Sequence, residues 1–165
     1  MQTKMYVIQP RIIKVDQTKA QKQRVAVYCR VSKNTSEQIH SLEMQESYFK
    51  GFVETKPEWV LYKIYKDIGS GTRKSGRRGY IEMVCDAKRH RFDMILVKSL
   101  SRFGRNTVEA LSTMRSLKKM NIALLSEVEQ INTLEVNDMV LSVLLAAAQE
   151  ESCLLYTSDA ADDLI

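Results

Sequence analysis

The sequence is poor in the residues that build metal sites and disulfide frameworks. Its three cysteines, Cys29, Cys85 and Cys153, are far apart, as are its two histidines, His40 and His90. A zinc site needs several such ligands at tight spacing, so no metal is expected, and Cys29 and Cys85 read as small core hydrophobes. Long apolar runs are missing too. The longest nearly apolar stretch, residues 139–148, is about half the ~20 residues that a membrane span requires. No apolar stretch follows the basic residues near the start, so no secretory signal is expected and the chain is assigned to the cytoplasm, without a membrane partner. There is no internal repeat and no low-complexity tract.

What the chain does hold is ordinary apolar content and an uneven charge. At 165 residues, 44% hydrophobic and 27% charged, it suits one globular domain with a sizeable core. The net charge is +5, but everything from Cys153 onward carries three acids (Asp159, Asp162, Asp163) and no base. Setting those aside leaves 25 bases against 17 acids, +8 over residues 1–152. Such a balance favours polyanions, nucleic acid first. Residues 1–23 hold Lys4, Arg11, Lys14, Lys19 and Lys22 against Asp16 alone, which reads as a mostly flexible basic arm.

From Arg24 onward, strand and helix patterns alternate. Residues 24–31 (RVAVYCRV) are rich in β-branched side chains and suit a buried strand. Ser36 or Asn34 can cap a helix running to about Glu54, with Ile39, Leu42, Phe49, Phe52 and Val53 on its apolar face. Pro57 marks the break before a second strand, Trp59–Tyr65. Residues 67–79 form a loop holding four of the six glycines. A short helix over Tyr80–Arg89, a buried strand over Asp93–Lys98 and a helix over Thr107–Lys119 follow, the last with Val108, Leu111, Met114 and Leu117 inward. Ile122–Leu125 reads as a fourth strand and Glu135 to about Ser152 as a final helix. This order predicts an α/β domain, a mainly parallel sheet of four to five strands covered on both faces. Met139–Leu145 is apolar nearly all round. Either a partner subunit covers it or the helix packs centrally in its own domain.

Ligands of an open parallel sheet sit at the carboxyl ends of the strands. Strand one ends in Tyr28-Cys29-Arg30-Val31-Ser32. Strand two ends at Asp67 and enters the loop with Ser70, Arg73, Lys74, Arg77 and Arg78. Strand three ends in Lys98-Ser99-Leu100-Ser101-Arg102-Phe103-Gly104-Arg105. Hydroxyls and arginines thus converge on one rim from three segments, which makes it an anion site. If the third helix begins near Arg102, that residue and Arg105 share a face and can point at one phosphate. No acid lies between Lys98 and Asn106 to pair with them. Neither histidine is placed to serve a serine protease triad, no Gly-Lys-Ser/Thr run follows the first strand as in a P-loop, and the rim lacks the carboxylates of a two-metal nuclease. A receiver-like domain would gather aspartates where Arg30 and Ser32 stand. Phosphoryl transfer to a serine hydroxyl, with cationic donors stabilising the transition state, fits these residues.

Four motifs, in order and spacing over residues 24–152, resemble one family. They are Tyr28-x-Arg30-Val31-Ser32, Asp67-x-Gly69-Ser70-Gly71, Leu100-Ser101-Arg102-Phe103-Gly104-Arg105 and Ala148-Gln149-Glu150-Glu151-Ser152. They resemble the serine site-specific recombinases, a group that includes resolvases and DNA invertases, and look most like the large serine integrases of mobile elements. The resemblance implies a resolvase-like three-layer domain with a long C-terminal dimerisation helix. It implies that Ser32 attacks a DNA phosphate to give a 5′-phosphoserine link, and that dimers pair into tetramers on double-stranded DNA. No cofactor is implied. Position by position, Arg30, Arg102 and Arg105 match the phosphate ligands, and Arg77 an assisting arginine. Tyr28, Gln45, Asp67 and Ser70 match the supporting shell, and Glu151 an acid of the dimer helix. Arg73, Lys74, Arg78 and Lys98 are expected to meet DNA. Ser101 stands where small resolvases carry aspartate, so it receives no catalytic role and the general base stays unassigned.

Residues 153–165 (CLLYTSDAADDLI) depart from the basic and polar continuation that the family implies. They are read as a non-native tail joined to a truncated helix, and the DNA-recognition domains expected of an integrase are absent from this sequence. Two alternatives follow: a regulator that has lost catalysis, which would lack the nucleophile or an arginine, and a truncated fragment that is itself inert.

Overall fold

The structure, a computed structural model, describes residues 21–69, 77–104 and 106–147. The basic arm over 1–20 and the segment 153–165 therefore lie outside the described residues. The elements run β1 (Gln23–Val31), α1 (Ser36–Glu54), β2 (Trp59–Ile68), α2 (Arg78–Lys88), β3 (Met94–Val97), a 3-10 turn (Leu100–Arg102), α3 (Thr107–Lys119), β4 (Ala123–Ser126) and β5 (Ile131–Asn132). A last helix, α4, is described over 138–147. The strands form one sheet in the order β2-β1-β3-β4-β5. The first four are mutually parallel and β5 pairs antiparallel with β4.

Both faces of this sheet are covered, which explains the unbroken apolar runs in β1 and β3. Because successive strand residues point to opposite sides, Val25, Val27, Cys29 and Val31 pack with Leu42, Phe49 and Val53 of α1. Ala26, Tyr28, Ile95 and Val97 face the other way, into a larger core with Met83, Met114, Leu117, Leu141 and Leu145. The domain is thus three layers, with α1 on one side and α2, α3 and α4 on the other.

Several expected details shift. The cap of α1 is Thr35, whose side chain accepts from the Gln38 amide, rather than Ser36 or Asn34. On α1 the buried face is Leu42, Gln45, Phe49 and Val53, while Ile39 is exposed. On α3 it is Ala110, Met114 and Leu117, while Val108 faces solvent. In both helices the seam is rotated because Gln45 and Ala110, polar or small, take inward positions that hydropathy alone gives to larger side chains. Helix α2 begins at Arg78, two residues early, and β2 runs three residues further, to Ile68. Strand β5, only two residues long, has no periodicity to reveal it. Residues 133–136 form a turn rather than the first turn of the last helix, and Asn137, whose Oδ1 accepts from the Val140 amide, stands at the start of α4. Cys29 is buried as expected, but Cys85 is exposed, on the outer side of α2.

The amino end of the sheet is fastened by Asp93. Its carboxylate accepts from the Arg24 amide at 2.8 Å, Nε at 3.1 Å and Nη2 at 2.7 Å, joining the start of β1 to the approach of β3. These hydrogen bonds hold the Asp93 pKa below the usual carboxylate value against the opposing effect of burial. A depressed folded-state pKa means stabilisation that is present above the unfolded value of about 3.9 and lost as pH falls through the lower folded value. Both side chains are well over a third exposed, so solvent screening limits the pair to less than about 1 kcal/mol. Asp93→Asn should melt a little below wild type at neutral pH, and thermal melts in increasingly acidic buffer should show that gap closing.

Candidate active site

The sheet order brings the carboxyl ends of β1, β2 and β3 side by side. Val31 at the end of β1 lies opposite Ile68 at the end of β2, and its carbonyl accepts from the Gly69 amide at 2.9 Å. Gly69 has a φ of +125°, a conformation that side chains rarely adopt. Tyr28 lies opposite Val97, the last residue of β3. The segment after β3 therefore runs beside Cys29–Ser32.

There the two arginines expected to hold a phosphate interlock. Arg30 Nε donates to the Arg102 carbonyl at 3.1 Å, and Arg102 Nη1 donates to the Arg30 carbonyl at 3.2 Å. Neither forms an ion pair with a carboxylate of any described residue. Burial depresses the Arg30 pKa, and the charges of Arg77 and Arg102 push the same way against Tyr28 and Asp67. Arg30 and Arg102, without a bonded acid among the described residues, leave a positive rim that an incoming anion would relieve. Arg102 is exposed, and Ser32, two residues past Arg30, is partly exposed. The helix does not begin near Arg102, however. Arg102 closes a 3-10 turn and α3 starts only at Thr107, while Arg105 lies outside the described residues.

Behind the rim lies a polar layer. Asp67, buried at the end of β2, accepts from Tyr28 Oη at 3.0 Å and from the amides of Gly79 and Tyr80 at 2.8 Å each. Arg77 at the α2 N-cap provides no side-chain cap, so Asp67 satisfies those amides from a neighbouring strand and places its charge at the positive end of the helix. Burial, then the Asp67 charge, raises the Tyr28 pKa and keeps the phenol a donor. The edge-on rings of Tyr28, Tyr80 and Phe103 meet around this point. The contact is close enough to require glycine: a Cβ on Gly79 would lie 2.6 Å from the Lys66 carbonyl oxygen. Gly79→Ala must push α2 off β2 and should cost about 2 kcal/mol, read as a lowered urea midpoint.

Arg77 is 5% exposed. Its Nη1 reaches Glu109 Oε2 at 2.6 Å, its Nη2 donates to the Phe103 carbonyl at 3.0 Å, and its guanidinium stacks 3.8 Å over Tyr80. Burial works against its charge, but Tyr28 and Glu109 outweigh that and hold its pKa above the usual value. Cys29, next to Arg30, points under α1, where burial and then Glu46 push its thiol up to about 12. It is no nucleophile.

The structure thus joins Tyr28, Arg30, Asp67, Arg77 and Arg102, with Ser32 at their edge. Gln45 stands apart, on the α1 side of the sheet, donating to Ser41 Oγ at 3.4 Å. Arg78 and Lys98 are exposed, the former beside Lys66 and Ile68 in an open cleft against α1. Ser70, Arg73, Lys74, Arg105 and Glu151 lie outside the described residues. Sequence reasoning missed Glu109 and Glu129; the Glu129 carboxylate accepts from the Leu100 amide and from Ser126 Oγ, holding the turn that carries Arg102. A signal for Glu109 existed: it is the only acid between Asp93 and Glu127.

Comparison with known proteins identifies the family and the fold. The profile of the family described as Resolvase, N terminal domain matches residues 25–159. No curated protein matches the chain. Among solved structures, a resolvase family site-specific recombinase from Streptococcus pneumoniae is similar with 28% identity and a TM-score of 0.62, over 86% of this chain and 97% of that one. The N-terminal catalytic domain of TP901-1 integrase is similar with 25% identity and a TM-score of 0.60, over 81% and 98%. The C-terminal catalytic domain of ISC1926 TnpA, an IS607-like serine recombinase, shares the fold at 23% identity and a TM-score of 0.55, over 62% and 69%. The chain belongs to the resolvase N-terminal domain family, the catalytic domain of the serine site-specific recombinases.

Proposed function

We propose that this domain cleaves and rejoins double-stranded DNA through a covalent link between Ser32 and a 5′-phosphate, in the service of integration, excision or inversion of mobile DNA. The observation that carries the reading is the interlocked pair Arg30 and Arg102, unpaired with acid among the described residues, beside a partly exposed serine. Ser32 Oγ attacks phosphorus, a bond to the 3′ oxygen breaks, and the serine proton ends on that oxygen as a 3′-hydroxyl. One phosphodiester is exchanged for another, so rejoining by the reverse step requires no nucleotide triphosphate. Arg30, Arg102 and Arg105 would neutralise the non-bridging oxygens as charge grows on them. Arg73, Lys74, Arg78 and Lys98 would steer the duplex by its phosphates.

Strand exchange between two duplexes needs more than one subunit, and α4 supplies a surface for pairing. Leu141 and Leu145 are buried in the domain's own core, while Met139 and Val143 are 78% and 63% exposed on the outer side. One side of the helix packs centrally, and the exposed apolar side supports the reading that a second copy covers it.

The test is covalent capture. The chain is incubated with random-sequence duplexes, denatured and digested, and DNA-linked peptides are sequenced. A peptide carrying a nucleotide 5′-phosphate on Ser32 is the expected result. Attachment elsewhere, or through a 3′-phosphate, contradicts the reading.

A further inference from the structure

The carbonyls of Arg102 and Phe103 are consecutive, and each is held by an arginine from a different part of the chain. Arg30, from β1, bonds the first at 3.1 Å, and Arg77, from the start of α2, bonds the second at 3.0 Å. On the far side a Cβ on Gly104 would fall 2.4 Å from the Cβ of Ala110, so the same stretch lies directly on α3. Glu109, one residue before Ala110, completes the arrangement by gripping the buried guanidinium of Arg77 at 2.6 Å.

We infer that Glu109 and Arg77 are a positioning pair, which fixes the backbone at Phe103 so that Arg102 and Arg30 stay interlocked beside Ser32. The catalytic meaning of this rests on the function proposed above. An arginine with both terminal nitrogens engaged, a ring stacked beneath it and 5% exposure is held as a strut, its Nε buried without a partner among the described residues. A buried ion pair is a weak route to stability, since two desolvated charges can often be replaced by apolar groups without loss. What it provides is direction: the planar guanidinium can meet Glu109 and Phe103 together only in one orientation. Contacts then run unbroken from α3 through Arg77 and the Phe103 backbone to Arg102, and on to Arg30.

The test follows solvent exchange of the Arg30 Nε–H by NMR in the full, isotopically labelled chain, compared with core amides of Val27 and Leu96. Glu109→Gln keeps the shape and removes the charge that orients Arg77. It should speed Arg30 Nε–H exchange about tenfold, as expected on losing one ordering hydrogen bond, with the core amides nearly unchanged. Arg77→Lys, which cannot hold Glu109 and the Phe103 carbonyl at once, should do the same and carries the comparison if the glutamine variant fails to fold. Glu82→Gln, at an exposed ion pair with Lys63, should change nothing. Unaltered Arg30 exchange in a folded variant overturns the inference. So does a rise in all rates together, which would make the pair a stability element only. No DNA enters the measurement, so this inference and the proposed function fail independently.

Discussion

Ser32→Ala is expected to abolish the proposed covalent protein–DNA adduct while DNA binding persists. In the proposed reaction the alanine removes the atom that bonds to phosphorus, and loss of a nucleophile lowers rates by about 10⁴-fold or more. The hydroxyl hydrogen-bonds to none of the described residues and sits where β1 ends, so its removal leaves no buried group unsatisfied. Melting temperature should stay within about 2 °C of wild type, as for other surface substitutions. Affinity for duplex DNA, and its dependence on salt, should be unchanged, because the phosphate-facing charges are intact. Denaturing gels with end-labelled duplex read the first effect and native gels at several salt concentrations the second. An adduct formed by the alanine variant would remove Ser32 from the mechanism.

Arg102→Ala should block the proposed cleavage in a domain that remains folded. The guanidinium is exposed and, among the described residues, bonds only to the Arg30 carbonyl, so the stability loss should be about 1 kcal/mol or less. The catalytic loss should be larger, about 10²- to 10³-fold, the usual consequence of deleting a donor aimed at developing charge. Arg102→Lys keeps the charge and loses the fork, so it should fall between wild type and alanine. Circular dichroism beside the cleavage assay separates the two effects. The variant should also bind with a salt slope shallower by about one, if one phosphate contact is gone. Cleavage at the wild-type rate by a folded alanine variant would show that Arg102 does not meet the reacting phosphate.

Legibility in the sequence varied with the range of the forces involved. β1 and α3 could be bounded to within a residue, because an apolar strand and a helix of regular period carry their own signal. The helix faces were less legible. Gln45 turned inward and Val108 outward because the sheet above each helix, rather than its hydropathy, selects the seam. At the site, Arg30 and Arg102 could be named together because one lies at the carboxyl end of β1 and the other just beyond that of β3, in a parallel sheet. Their interlocking through each other's carbonyls could not, since a backbone acceptor leaves no mark in a sequence. Asp67 illustrates the same limit. The family resemblance put it in the supporting shell, but that both of its oxygens serve Tyr28 and the first turn of α2 could be seen only in the fold.

The order of strands and helices, the cationic rim at the carboxyl ends and the serine within it follow from the linear chain, because period, charge and turn residues act over a few neighbours. Which guanidinium reaches outward and which becomes a strut was settled only on folding. Arg77 and Arg102 are both arginines at loop ends, but one meets Glu109 and Tyr80 in the interior and the other meets solvent. That difference arises from how α2 and α3 pack on the sheet, and burial of a charge depends on every surface around it.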